Sequence, residues 1–182
     1  MATRNLCVAL AILLIGGLSP AWAGLVEVSY LETELGGGVF NSEFFITNSS
    51  HRNNGFGVWN VQFYLADPIE NLSLPDGWIF QEVTSAGFFE IYSDKVGIFP
   101  DGTDIAPGET LGGFLFETNF SLSLIDLKFL ALLDTYSIDE NGLSIYIEST
   151  GFATPVPEPA TLILFAAGLA GTAFYHRRMR FF

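Results

Sequence analysis

Through the middle of this chain, bulky apolar residues recur at every second position, and that spacing constrains the fold more than any other feature. Trp59, Val61, Phe63 and Leu65 point one way, while Asn60, Gln62 and Tyr64 point the other. Leu143, Ile145 and Ile147 alternate in the same way with Ser144, Tyr146 and Glu148. Phe40, Phe44 and Ile46 share a face, as do Phe114 and Phe116. A period of two is the spacing of a strand with one face on a core and one on water. Further strands are predicted over Leu25–Leu31, Trp78–Val83, Phe88–Tyr92 and Leu127–Leu133, and no helical period competes with them outside the two ends.

Turn formers separate these segments. Asn54-Gly55 and Asn141-Gly142 tolerate positive φ, and Pro75-Asp76-Gly77 and Pro100-Asp101-Gly102 close tight reversals. About eight short strands at this spacing predict an all-β fold: an antiparallel β-sandwich of immunoglobulin-like or jelly-roll order. The patterned region, residues 24–154, is roughly 130 residues, the size of one domain with its own core. Within it only Arg52, Lys95 and Lys128 oppose nineteen of the twenty acids. Nucleic acid needs a basic footprint, so it is excluded as a partner. The only cysteine, Cys7, lies upstream, so this region has no disulfide, thiolate nucleophile or zinc–thiolate site.

Both ends of the chain are apolar. Residues 1–23 carry Arg4, an apolar stretch from Leu6 to Leu18, the breaker Pro20, and Ala21-Trp22-Ala23 ahead of Gly24. This is the layout of a secretory signal peptide, predicting cleavage by signal peptidase between Ala23 and Gly24. A permanent N-terminal anchor is the competing reading. At the other end, Pro157-Glu158-Pro159 precedes an uncharged run, residues 160–175, and then Arg177, Arg178 and Arg180. An apolar transmembrane helix followed by arginines stops in a membrane with its end in the cytoplasm. Residues 161–175, as a helix, would span about 22 Å at about 1.5 Å per residue, short of the ~30 Å hydrocarbon core. The segment therefore reads as a transient hold, with an ordinary short anchor as the alternative. Pro157 and Pro159 keep Glu158 extended and unpaired, a shape that a processing enzyme can read.

The stretch VPEPATLILFAAGLAGTAFYHRRMR resembles the PEP-CTERM sorting signal of exported proteins from Gram-negative bacteria, also filed as an ice-binding-protein C-terminal domain. The resemblance covers those twenty-five residues of the 182, within a tail of residues 155–182, and has all three parts in order; Phe181 and Phe182 extend past the arginines, where many members stop. It implies recognition of Pro157, Glu158 and Pro159 by an exosortase, a membrane-embedded transpeptidase-like enzyme, and release to the outer surface or extracellular matrix. In that family the machinery accompanies exopolysaccharide production. Two body segments, GWIF at 77–80 and IAPGETLGGFLFET at 105–118, are similar to a hairpin opening in small proteins of the same group. That second likeness implies the sandwich and carries no site.

Chemistry-bearing patterns in the body are sparse. His51 is the one histidine between residues 24 and 154, in a polar loop, and no Gly-x-Ser-x-Gly elbow accompanies any serine. Asp101-Gly102-Thr103-Asp104 and Asp139-Glu140-Asn141-Gly142 offer oxygen ligands in turns, without EF-hand spacing. Tyr64 and Tyr146 fall on the polar faces of their strands and are the candidates for stacking on sugar rings, while the alternation puts Trp59 inside. Three Asn-x-Ser sequons, at Asn48, Asn71 and Asn119, are read as chance. The sequence thus predicts a non-enzymatic exported protein without a cofactor. The expected route is through the inner membrane as a precursor and on to the outer surface or the extracellular matrix. A carbohydrate- or calcium-dependent binding module is the alternative, and a hydrolase a distant third.

Overall fold

The computed structural model describes residues 24–51, 55–65, 67–83, 87–95, 97 and 102–156. The predicted signal peptide, residues 1–23, and the tail, residues 157–182, lie outside the described residues. Among the described residues ten strands form: β1 (Val26–Gly36), β2 (Val39–Asn48), β3 (Gly57–Tyr64), β4 (Glu70–Ser73), β5 (Trp78–Val83), β6 (Phe88–Ser93), β7 (Thr110–Thr118), β8 (Lys128–Ile138), β9 (Ser144–Phe152) and β10 (Thr154–Pro155). A single 3-10 turn at Leu122–Leu124 is the only helical element among the described residues. No described helix is long and apolar enough to cross a membrane.

The strands make two five-stranded sheets, one ordered β10-β1-β2-β7-β4 and the other β5-β6-β3-β8-β9. Among the described strands every pairing is antiparallel, as expected of the sandwich, except the short β10 on β1, which is parallel. The β1–β2 hairpin is set by three glycines. Gly37 and Gly38 have φ of 67° and 81°, as a two-residue loop between right-twisted strands requires, and the register shifts at Gly36.

Aromatic rings fill the space between the sheets. Phe44 of β2 contacts Phe63 of β3 at 5.1 Å between centroids, and Phe116 of β7 contacts Phe89 of β6 at 5.1 Å. Trp78 meets Phe114 edge-on, also at 5.1 Å. Such offset and edge-to-face pairs add to the burial of their area. Tyr30, Val28, Ile46, Val58, Ile91 and Leu133 complete the buried core around them.

A bulge explains the glycine pair in the Leu-Gly-Gly-Phe stretch. Phe44 pairs with Phe114 and Ile46 with Leu111, so Phe45 faces two residues of β7. Gly113 takes up the extra residue at φ 88°, where a side chain would be strained. A Cβ at Gly112 would press on the Phe45 ring, 2.8 Å away.

A second bulge overturns one sequence expectation. Val58 pairs with Leu133 and Asn60 with Leu132, leaving Trp59 as an extra residue in β3. The two residues at such a bulge face the same side, so the strict alternation breaks between Val58 and Val61. Val58, Val61 and Phe63 are fully buried. Trp59 is turned to the outer face, where its ring lies 5.2 Å from that of Tyr146. On β9 only Ile147 packs against the core, whereas Leu143 and Ile145 are 65% and 43% exposed at the β8–β9 tip.

Candidate sorting site and the surfaces around it

The chain leaves the fold in an orderly way. Ala153 donates its N–H to the carbonyl of Leu127 at 2.8 Å, and Thr154 and Pro155 then pair with Ser29 and Tyr30. Val156 donates its N–H to the carbonyl of Tyr30 at 2.8 Å. The sequence dictates this geometry: Thr154 and Val156 each precede a proline, which pushes both into extended conformation. Pro155 and Pro157 have no N–H to donate, so the ladder cannot continue as a regular strand. The described structure continues through Pro155 and Val156. It reaches the residue immediately before Pro157-Glu158-Pro159. Those three residues, and Arg177, Arg178 and Arg180, lie outside the described residues, as do Ala21 and Ala23. Gly24 is described and half-buried, and a Cβ there would lie 3.2 Å from Ser149 Oγ.

The two sugar-stacking candidates stand apart on the surface. Tyr64 has Phe88 beside its ring at 5.7 Å and the Lys128 ammonium 5.3 Å from its centroid, so one face is already covered by a cation. Tyr146 is 45% exposed and shares the outer face with Trp59. That aromatic pair was hidden in the sequence, since only the bulge at Trp59 brings the indole outward. A shallow hollow of about 180 Å³ lies near Tyr64, lined by Leu65, Ile69, Glu82 and Phe88 among others.

Among the described residues, no group of three or more histidine, cysteine or acidic side chains converges. Asp139 accepts the N–H groups of Asn141 and Leu143, each at 2.8 Å. These bonds, that of Leu143 foremost, hold its carboxyl below the usual range and fix the β8–β9 turn. Asp101 lies outside the described residues. Asp104 is buried and accepts from the Tyr136 hydroxyl at 2.7 Å and from the Gly97 N–H at 3.0 Å. Burial raises the pKa of Asp104, with the Asp134 charge adding to it, against hydrogen bonds from Ser93, Tyr136 and Gly97. Burial and the neighbouring Asp104 carboxylate likewise push the Tyr136 phenol upward. The arrangement ties the segment after β6 to the end of β8.

His51 is exposed. Of the sequon asparagines, Asn48 is fully buried and serves as a bracket. Its amide donates to the carbonyls of Phe56 and Ile105, both at 2.8 Å, and its Oδ1 accepts from Ser50 N–H and Oγ. Asn71 is exposed and donates to Glu117 at 2.6 Å, and Asn119 is exposed.

Residues 155–178 match the family described as the PEP-CTERM protein-sorting motif. No curated protein matches the chain. Among solved structures, the chain is similar to a GH20 exo-β-N-acetylglucosaminidase from Vibrio harveyi in complex with N-acetylglucosamine. The identity is 14% and the TM-score 0.44, over 73% of this chain and 18% of that one. An inactive mutant of that enzyme gives the same values. It is also similar to an uncharacterized protein from Nocardia farcinica reported to have an immunoglobulin-like fold, at 10% identity and a TM-score of 0.43, over 70% of this chain and 98% of that one. Likeness this distant carries no activity across. The class defined by fold and tail is a two-sheet β-sandwich that runs straight into a sorting motif.

Proposed function

We propose that this chain is an exported, non-enzymatic cell-surface or extracellular-matrix protein of an exopolysaccharide-producing Gram-negative bacterium, sorted and processed by an exosortase. The observation that carries this reading is the sorting-motif match at residues 155–178, which begins within β10, the last strand described. In this account residues 1–23 direct export and are removed by signal peptidase. Residues 160–175 hold the precursor in the inner membrane, and Pro157, Glu158 and Pro159 present the cutting site. Glu158→Ala is expected to leave the precursor uncut in the inner membrane, whereas Tyr64→Ala matures normally; immunoblots of fractionated cells read both. Equal processing of the two variants contradicts the assigned recognition site.

One observation favours a second reading of the body, as a carbohydrate-binding module: the outward Trp59–Tyr146 pair offers an apolar ring surface beside the polar edge of β9. Sugar faces stack on such rings. The protein would then be retarded in a gel containing the producer's polysaccharide, and Tyr146→Ala would abolish the retardation. Unchanged mobility of both proteins rejects the module.

A further inference from the structure

The strand directions collect one set of exposed apolar side chains at the end of the sandwich from which the tail departs. β1 and β7 both run antiparallel to β2, so the β1–β2 tip and the end of β7 lie together. The connection after β7 leads to the start of β8, where Lys128 pairs with Phe152 at the end of β9. Glu32 clamps this connection by accepting the Leu122 N–H at 2.6 Å. β10 is parallel to β1, so at Val156 the chain heads toward the same end. Exposed there are Leu124 at 82%, Phe152 at 60%, Leu35 at 57%, Val156 at 42% and Ile125 at 41%.

Resting on the sorting reading, we infer that this apolar rim is a contact surface for the lipid bilayer in the tail-held precursor. The length of the connecting chain supports that occupant. Only three residues separate Val156 from Ala160, where the apolar run begins. Fully extended, the step from Val156 to Ala160 covers at most about 14 Å. The polar layer on each side of a bilayer is several ångströms thick, so the rim reaches the interface with little slack. Exposed Leu, Ile and Phe side chains gain by entering the boundary between headgroups and acyl chains. Glu34 and Asp126 are exposed at the same end, and the chain's net charge of −13 disfavours anionic lipid, so a zwitterionic surface fits best. The apolar side chains at the β8–β9 tip, Ile138 among them, lie at the opposite end of β8, away from the tail.

Single-cysteine labelling tests the inference on the tail-held precursor, residues 24–182, which has no cysteine of its own, reconstituted in phosphatidylcholine vesicles. An environment-sensitive fluorophore is placed at Leu124→Cys or, as a control, at Ile138→Cys; both positions are exposed, so folding is not at stake. At position 124 the emission is expected to shift to the blue and to be quenched at least about twofold by nitroxide-bearing lipid, while position 138 is unaffected. Equal quenching at both positions, or none at either in chains that float with the vesicles, overturns the inference and leaves the sorting reading standing. A chain that does not float with the vesicles overturns the membrane hold itself, and the inference with it.

Discussion

Phe63→Ala is expected to destabilise the protein by about 3–5 kcal/mol, the usual cost of removing a fully buried phenyl ring. Phe63 sits where the two sheets meet, with ring centroids of Phe44 and Phe89 at 5.1 Å and of Phe116 at 5.9 Å. The three rings around it are buried too, so truncation opens a space lined by apolar groups rather than by water. Domains of this size are stable by only about 5–15 kcal/mol in total, so the variant should unfold early in urea or fail to accumulate. Phe152→Ala, at a side chain 60% exposed, is the matched control and should shift the urea midpoint little. Equal losses for the two would mean that the aromatic cluster is not the centre of the fold.

Asn48→Ala should rank second, at roughly 3 kcal/mol. The side chain makes four hydrogen bonds inside the protein; its removal takes a donor from the Phe56 carbonyl and leaves that of Ile105 with the Val58 N–H alone. Leaving a buried group unsatisfied costs about 1–3 kcal/mol, more than a surface hydrogen bond is worth. The bracket joins the end of β2 to both the start of β3 and the Val58–Ile105 bridge. Its loss should therefore loosen the two segments together, which hydrogen exchange at Val58 and Ile105 would report. Asn119→Ala, in another sequon and exposed, should change stability by no more than about 0.5 kcal/mol.

Much of the body was legible in the sequence because alternation reports burial directly. Trp78–Val83 appears as β5 with the expected bounds, and Phe44, Phe114 and Phe116 share the interior as their spacing required. The alternation misleads at Trp59, since one inserted residue reverses every side chain on its far side and leaves no compositional mark. β4 escaped notice because Glu70–Ser73 is short and mostly exposed at a sheet edge. β10 escaped because a two-residue parallel strand depends on where Tyr30 lies in space. Its extended form was still implied by the alternating prolines at 155 and 157. The role of Asn48 could not be read locally either: two of its partners, eight and fifty-seven residues away, are fixed only by the fold.

The sorting motif was readable in the sequence, since its three parts occur in order along the chain, and the family match to residues 155–178 agrees with it. The fold adds the position of the motif, directly after Val156 on the β1 edge. Any enzyme that cuts just past Val156 works beside a folded sheet edge.

The intact mass of the protein recovered from the cell surface tests the central claim most directly. The account predicts a species that begins at Gly24 and ends near Pro157-Glu158-Pro159, without the apolar run or the arginines. A surface species whose mass still includes Phe182 contradicts it.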